Sequence, residues 1–242
     1  MSLSVMMVTR NAAGVVGEAL ESIKGLWDKL LVSDQNSADG TREVLEQYKA
    51  TIFESRSDNL GKRKQELVKK VKGDWILILD SDERVSPKLR GEIRKLNGKD
   101  IVGYRIPYQN YVFGKPVYWG GERYSKVRLF RRGHGKLTPV PIHEEVIVDG
   151  PVGELQGVIH HHSYRTPRQL FEKFTRYAWI AAQEKKKNGE SITTEKLFFY
   201  GPHMFWARFI EEQGYKDGFQ GFLLAFAFSY METLTSWSMF VI

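Results

Sequence analysis

The chain of 242 residues contains no cysteine, so it has no disulfide framework and no thiolate to hold a metal or attack a substrate. Its N-terminus runs directly into Leu3-Ser4-Val5-Met6-Met7-Val8, without the basic region, long apolar core and small-residue cleavage site of a secretory signal. That start places the catalytic part inside the cell. Neither a Gly-x-x-x-x-Gly-Lys-Ser/Thr loop nor a Gly-x-Gly-x-x-Gly turn occurs, which leaves phosphate-loop hydrolases and dinucleotide enzymes without their signature. Internal repeats and low-complexity segments are missing as well.

What is present is the composition of a folded protein, 42% hydrophobic and 13% aromatic. The length suits one large α/β domain with room for a helical appendage. Thirty-six basic against 29 acidic residues give a net charge of +7, which points to anionic partners. Nucleotide diphosphates, anionic lipid surfaces and nucleic acid all qualify, so charge alone does not choose among them.

Leu3 to Val8 and Lys29 to Ser33 read as strands, with a helix over Ala13 to Ile23 between them. A helix over Thr41 to Tyr48, a short strand at Thr51 to Phe53 and a helix over Gly61 to Val71 follow. Trp75 to Leu79 is a continuous apolar run too short for a helix, and it reads as a central strand covered on both faces. Strand and helix alternating in this way predict a mostly parallel, doubly wound sheet with helices on both faces. Between Asp100 and Val158 the texture changes to short strands broken by glycine and proline, at Gly103 to Pro107, Lys126 to Phe130 and Glu145 to Val148. From Pro167 the pattern is helical, over Gln169 to Lys187, Glu195 to Glu212 and Phe219 onward. The expected organisation is an α/β domain over residues 1–165, divided into a nucleotide-binding half (1–99) and an acceptor and metal half (100–165). A helical extension over 166–242 completes it.

The strand Trp75 to Leu79 ends in Asp80-Ser81-Asp82-Glu83. Acids crowded at the carboxyl edge of an open sheet repel one another unless a cation or a set of donors holds them. Thr9-Arg10-Asn11 ends the first strand, and Asp34, with Asp39 close behind, ends the second. Three strand tips thus bring polar groups to one crevice suited to a nucleotide. Lys62, Arg63 and Lys64 fall in the first turn of a helix, where the dipole normally favours acids, and this suggests an anion held nearby.

Val8-Thr9-Arg10-Asn11, Val32-Ser33-Asp34-Gln35-Asn36-Ser37-Ala38-Asp39-Gly40-Thr41 and Trp75 through Glu83 together resemble the ordered motifs of family 2 inverting glycosyltransferases of the GT-A fold. Val127-Arg128-Leu129-Phe130-Arg131-Arg132, Ile142-His143-Glu144-Glu145 and His161-His162-Ser163-Tyr164 are similar to the bacterial subgroup that builds the lipopolysaccharide inner core. The tail motif Asp217-Gly218-Phe219-Gln220-Gly221-Phe222 is similar to it too. The resemblance implies that Asp34 contacts the base or ribose, that Asp80 contacts ribose or metal, and that Asp82 binds Mg²⁺ or Mn²⁺ bridging the sugar-nucleotide phosphates. It also makes His161 the late histidine that completes the metal or diphosphate contact. Gln65 departs from the family's usual asparagine. In the run His160-His161-His162, alternation along a strand points the outer two away from the central one.

The reaction so implied is transfer of a sugar from a nucleotide diphosphate, a uridine diphosphate sugar by family habit, to a glycolipid or lipopolysaccharide-core hydroxyl. Inversion by direct displacement needs a carboxylate to take the acceptor proton. Glu144 is the first choice for that base, Glu145 the second and Glu122 the third. A sugar nucleotidyltransferase is the rival enzyme, but Thr9-Arg10-Asn11 lacks the glycine-rich turn expected of it. A nucleic-acid module is favoured by charge alone, and the aromatic-basic interleaving of an RNA-binding sheet is missing. The stretch Phe219 to Ile242 carries one charge, Glu232, and reads either as an interfacial helix at the inner face of the cell membrane or as a helix packed on its own domain. It stops on Met239-Phe240-Val241-Ile242 without a polar end, as a chain that continues would.

Overall fold

The computed structural model describes residues 2–55, 57, 59–96, 100–138, 140 and 144–241. His143, Pro141, Ile142 and Pro139, which belong to the motif around Glu144, lie outside the described residues. The chain forms two compact units, Met1–Tyr108 with Tyr124–His161, and Gln109–Arg123 with His162–Ile242.

In the first unit the elements run β1 (Leu3–Thr9), α1 (Ala13–Ile23), β2 (Lys29–Asp34), α2 (Thr41–Gln47), β3 (Thr51–Glu54), α3 (Leu60–Val68), β4 (Trp75–Ile78), β5 (Glu83–Val85) and α4 (Pro87–Arg94). In chain order there follow β6 (Gly103–Val112), β7 (Lys115–Val117), β8 (Ser125–Arg131), β9 (Gly135–Leu137), β10 (Val146–Val148), β11 (Val152–Glu154) and β12 (Ile159–Tyr164), of which β7 and the ends of β6 and β12 belong to the second unit. The main sheet has the order β3-β2-β1-β4-β8-β6-β12-β5. Its first four strands are parallel, as strands joined by helical crossovers must be. From β4 to β8 and on to β6 the pairing turns antiparallel, which is the structural content of the change in texture after Asp100.

Every residue of β1 is buried, because helices cover both faces of the sheet. Leu3, Val5 and Met7 join Val16, Leu20 and Ile23 of α1 and Leu89 and Ile93 of α4 in one core. Met6 and Val8 face the other way, into a second core with Leu67 of α3, Ile76 and Ile78 of β4 and Phe130 of β8. Alternation along one strand therefore serves two cores at once. Asn59 caps α3 by accepting from the Lys62 amide, and Ser86, followed by Pro87, caps α4 in the same way.

The second unit holds the tip of β6 paired with β7 and three long helices, α5 (Pro167–Lys187), α6 (Thr194–Trp206) and α7 (Gly218–Val241). The helix expected to run to Glu212 ends at Trp206 and gives way to a wider π turn over Ala207–Glu211. Pro202 interrupts it from within. α6 crosses α7 at Gly201, where an added Cβ would strike Thr233 Oγ1 and come 3.1 Å from Ser229 O. No described helix is long and apolar enough to cross a membrane.

One glycine sets where α3 begins. The Gly61 amide donates to Val140 O at 3.2 Å, and a Cβ on Gly61 would collide with the carbonyl of Thr138 and approach that of Val140 to 2.9 Å. Backbone cannot give way as a side chain does. Gly61→Ala should cost about 1–3 kcal/mol or more, read as a lowered thermal midpoint, while Gly91→Ala, with open space around it, should leave the midpoint unchanged or raised.

Candidate active site

The carboxyl ends of β1 and β2 are stitched together by the residues expected to bind a nucleotide. Asp34, fully buried, accepts from Thr9 Oγ1 at 2.8 Å and Ser37 Oγ at 2.6 Å through one oxygen. Its other oxygen accepts from the Ser37 amide at 2.9 Å and Arg42 Nε at 3.2 Å. Burial pushes the Asp34 carboxyl up, but the donors, Ser37 and Thr9 foremost, hold it below its ordinary value. With four donors in place, Asp34 shapes the loop after β2. Asn11 takes a left-handed backbone, φ 48°, which asparagine tolerates. Its amide donates to Ser37 Oγ, and its side-chain oxygen accepts from the Ala38 amide. Asp39 is exposed and accepts from the amides of Ala13 and Thr41. Arg10 is exposed beside them.

The three basic residues opening α3 part company. Lys62 is exposed. Arg63 is buried and donates to the carbonyls of Thr9 and Ser33, at 3.2 and 2.7 Å, and to Gln35 Oε1, so it ties α3 to two strand tips. A cleft of about 590 Å³ beside it is lined by Ser33, Phe53, Arg63 and Lys70 among others.

Lys64 is 1% exposed. Its ammonium lies 2.6 Å from Asp80 Oδ1 and 2.5 Å from Glu144 Oε1. Arg128 of β8, also buried, places Nη2 at 3.0 Å from Asp80 Oδ2 and 3.2 Å from Glu83 Oε1. Tyr108 completes the cluster, donating to Glu83 Oε1 at 2.9 Å and accepting from Arg128 Nε at 2.5 Å. The amide of Asp80 donates to Glu83 Oε2, so Glu83 holds the turn that carries Asp80. Burial alone would raise the Asp80 carboxyl, yet Lys64 and Arg128 hold it well below the usual carboxylate range. Burial likewise opposes charge on Lys64, and Asp80 with Glu144 raises it above its ordinary value all the same.

Asp82 stands apart from this cluster, half-buried, with Oδ2 at 3.6 Å from His161 Nε2. β12 pairs with β5 so that His161 lies opposite Glu83, and the His161 ring meets the Tyr108 ring edge-on at 5.9 Å. His162 instead stacks on Tyr111 at 4.4 Å, and burial lowers the His160 pKa. Glu145 is exposed. With Glu144, Lys126 and Arg128 it borders a cavity of about 120 Å³. Glu122 belongs to the helical unit, where it pairs with Arg208 at 2.5 Å and accepts from Asn110 at 2.8 Å.

Sequence reasoning read Lys64 only as one of three basic residues near an anion, and assigned no role to Arg128 or Tyr108. A usable signal was an excess of acids, Asp80, Glu83 and Glu144, which need matching cations on apolar elements. Lys64→Met should leave Asp80 and Glu144 buried without their cation, at a cost of about 3–5 kcal/mol, whereas Lys62→Ala should leave the melting point unchanged. Because Asp80 is depressed in the folded state, its contribution is full above about pH 4 and declines as the pH falls below that. Melting curves on the acid side should therefore be flatter with pH in Lys64→Met than in the parent.

The chain is similar over 96% of its length to uncharacterized glycosyltransferases of Rickettsia typhi, with 21% identity and 84% of that protein covered, and of Rickettsia felis, with 23% identity and 87% covered. Among solved structures it is similar to TarS of S. aureus, residues 1–349, with a TM-score of 0.52 at 13% identity, over 98% of this chain and 89% of that one. The TarS complex with UDP-GlcNAc gives a TM-score of 0.51 at 12% identity, over 98% and 90% of the two chains. Likeness of that degree establishes a shared GT-A fold. Residues 4–143, more than half of the sequence, match Glycosyl transferase family 2, and the chain belongs to that family.

Proposed function

We propose that the protein transfers a sugar, with inversion, from a UDP-sugar to a hydroxyl of a glycolipid or lipopolysaccharide-core acceptor at the inner face of the cell membrane. TarS, which shares the fold, has been crystallised with UDP and with UDP-GlcNAc, and this supports a uridine diphosphate donor. The cleft of about 590 Å³ beside Arg63 is of the size that holds a nucleoside. Arg10 and Lys62, both exposed, are available to the diphosphate. Asp34, Asn11 and Asp39 keep the strand tips in register for it.

The observation that carries the reading is the contrast between Asp80 and Asp82. Asp80 has its charge matched by Lys64 and Arg128, while Asp82 lies 3.6 Å from the His161 imidazole. Among the described residues no three acidic or histidine side chains gather as a metal cluster. The chain would therefore supply Asp82 and His161, with the substrate's phosphates providing the rest, as is usual where Mg²⁺ or Mn²⁺ meets a nucleotide. Such an ion offsets charge on the leaving diphosphate. Asp80, anchored by two cations, fixes the turn that presents Asp82.

The base belongs to the Glu144–Glu145 pair. Glu144 is buried, with Oε1 at 2.5 Å from the Lys64 ammonium. Glu145 has no ion pair among the described residues, and that favours it for taking the acceptor proton, with Glu144 as the buried partner that aims the strand. The exposed Phe219, Phe222, Phe226 and Trp237 of α7 suit a lipid surface, which favours a membrane-borne acceptor.

Asp82→Ala should abolish Mn²⁺-dependent binding of UDP-sugars in calorimetric titration while leaving the melting point in place. Retention of metal-dependent binding would remove Asp82 from the site. Glu145→Gln should keep donor affinity and lower turnover about a hundredfold; a full effect in Glu144→Gln with none in Glu145→Gln moves the base to Glu144.

A further inference from the structure

Within the helical unit, α5 and α7 leave a groove of about 730 Å³. Phe171, Trp179, Ile180 and Leu234 wall it, and Arg168 and Arg176 stand at its margin about two turns apart on α5. Arg168 is paired with Glu172 at 2.7 Å yet remains 87% exposed. Arg176 has no carboxylate partner among the described residues and lies over the Tyr177 ring at 5.6 Å. α5 carries six basic residues against two acidic ones, whereas α7 carries Glu232 alone.

The two halves of this groove call for different chemistry. A free anion would use the arginines and leave the aromatic walls unoccupied. A purely apolar segment would fill the walls and leave Arg176 with nothing to neutralise it. An amphiphile with a phosphate at one end and hydrocarbon at the other satisfies both. Trp179 and Trp237 are 48% and 44% exposed, and tryptophan beside arginine is the composition of a surface that sits at headgroup depth. Phe226, 48% exposed, meets Phe171 edge-on at 6.2 Å, which continues the apolar wall outward along α7.

We propose that the groove between α5 and α7 seats one anionic phospholipid of the membrane, with its phosphate on Arg168 and Arg176 and the upper part of its acyl chain against Trp179, Ile180 and Leu234. The proposal rests on the membrane reading given above and adds the lipid's charge and its seat. It concerns binding alone and does not depend on which sugar is transferred.

The test is flotation of the full chain with vesicles of phosphatidylcholine, with and without phosphatidylglycerol. Two double variants remove equal charge from α5, R168Q/R176Q at the groove and K186Q/K187Q at the far end of the helix. All four positions are exposed, and unchanged melting curves confirm the fold. The parent should float with phosphatidylglycerol and not without it. R168Q/R176Q should lose about tenfold or more of the bound fraction, and K186Q/K187Q within about threefold. If the parent floats with neither vesicle, the membrane reading falls and takes the proposal with it. If the parent floats but both variants lose equally, or neither loses, or phosphatidylglycerol makes no difference, the membrane reading stands and the groove is not the seat. A concentration-dependent dimer in light scattering that R168Q/R176Q abolishes would assign the groove to a second copy of the chain and overturn the proposal.

Discussion

A lysine ammonium buried between two carboxylates constrains everything built around it. Lys64 has to be charged to match Asp80 and Glu144, and it has to be close to both, which fixes the distance between α3 and the tip of β4. Removing one partner from such a group leaves a buried charge that water cannot reach. Arg128 repeats the arrangement from the antiparallel side of the sheet, joining Asp80 to Glu83. The crevice at the carboxyl edge is thus held by ion pairs from α3, β4, β5 and β8. Counted together, Asp80, Glu83 and Glu144 exceed Lys64 and Arg128 by one negative charge, and Asp82 adds another.

The division between the two aspartates follows from the same cluster. A carboxylate with two cations on it gains little from a third, so Asp80 is an anchor. Asp82, two residues on, has turned out of the cluster toward His161. A short acidic motif at a strand end can therefore send two neighbouring carboxylates to different partners.

Much of the fold was legible because burial on both faces leaves little freedom in composition. β4 read as a continuous apolar run, and the inner stripe expected of α1, Val15, Val16, Ala19, Leu20 and Ile23, is buried except for the half-buried Val15. The candidate site was legible at the strand tips, where turn-forming and acidic residues cluster, and the structure sets His161, of the three adjacent histidines, 3.6 Å from Asp82. What stayed hidden was orientation. Lys62, Arg63 and Lys64 look alike in a sequence, yet successive helical positions turn by about 100°, sending one to solvent and two inward. Arg128 sits in the strand Val127-Arg128-Leu129-Phe130 as though it were an interruption, and only the distant acids Asp80 and Glu83 explain it. The donors that hold Asp34 in this structure, from Thr9, Ser37 and Arg42, were not legible either. The excursion Gln109–Arg123 also carried no local sign that it belongs with the helices.

That excursion is held from far along the chain. Asp217 accepts from the amides of Tyr118 and Trp119, at 2.8 and 2.7 Å, and the cations of Arg123 and Lys216 lie 4.8 and 4.2 Å from the centre of the Trp119 ring. Glu122 pairs with Arg208, whose guanidinium covers the Phe228 ring at 3.5 Å. Trp119 and Asp217 are 98 residues apart, a span that takes about 5–20 s to synthesise at ordinary translation rates. Throughout that interval Tyr118, Trp119 and the glycines that follow have left the ribosome without the residues that hold them. A chaperone or protease meeting the nascent chain would find its target there, in a segment that the finished protein keeps fastened.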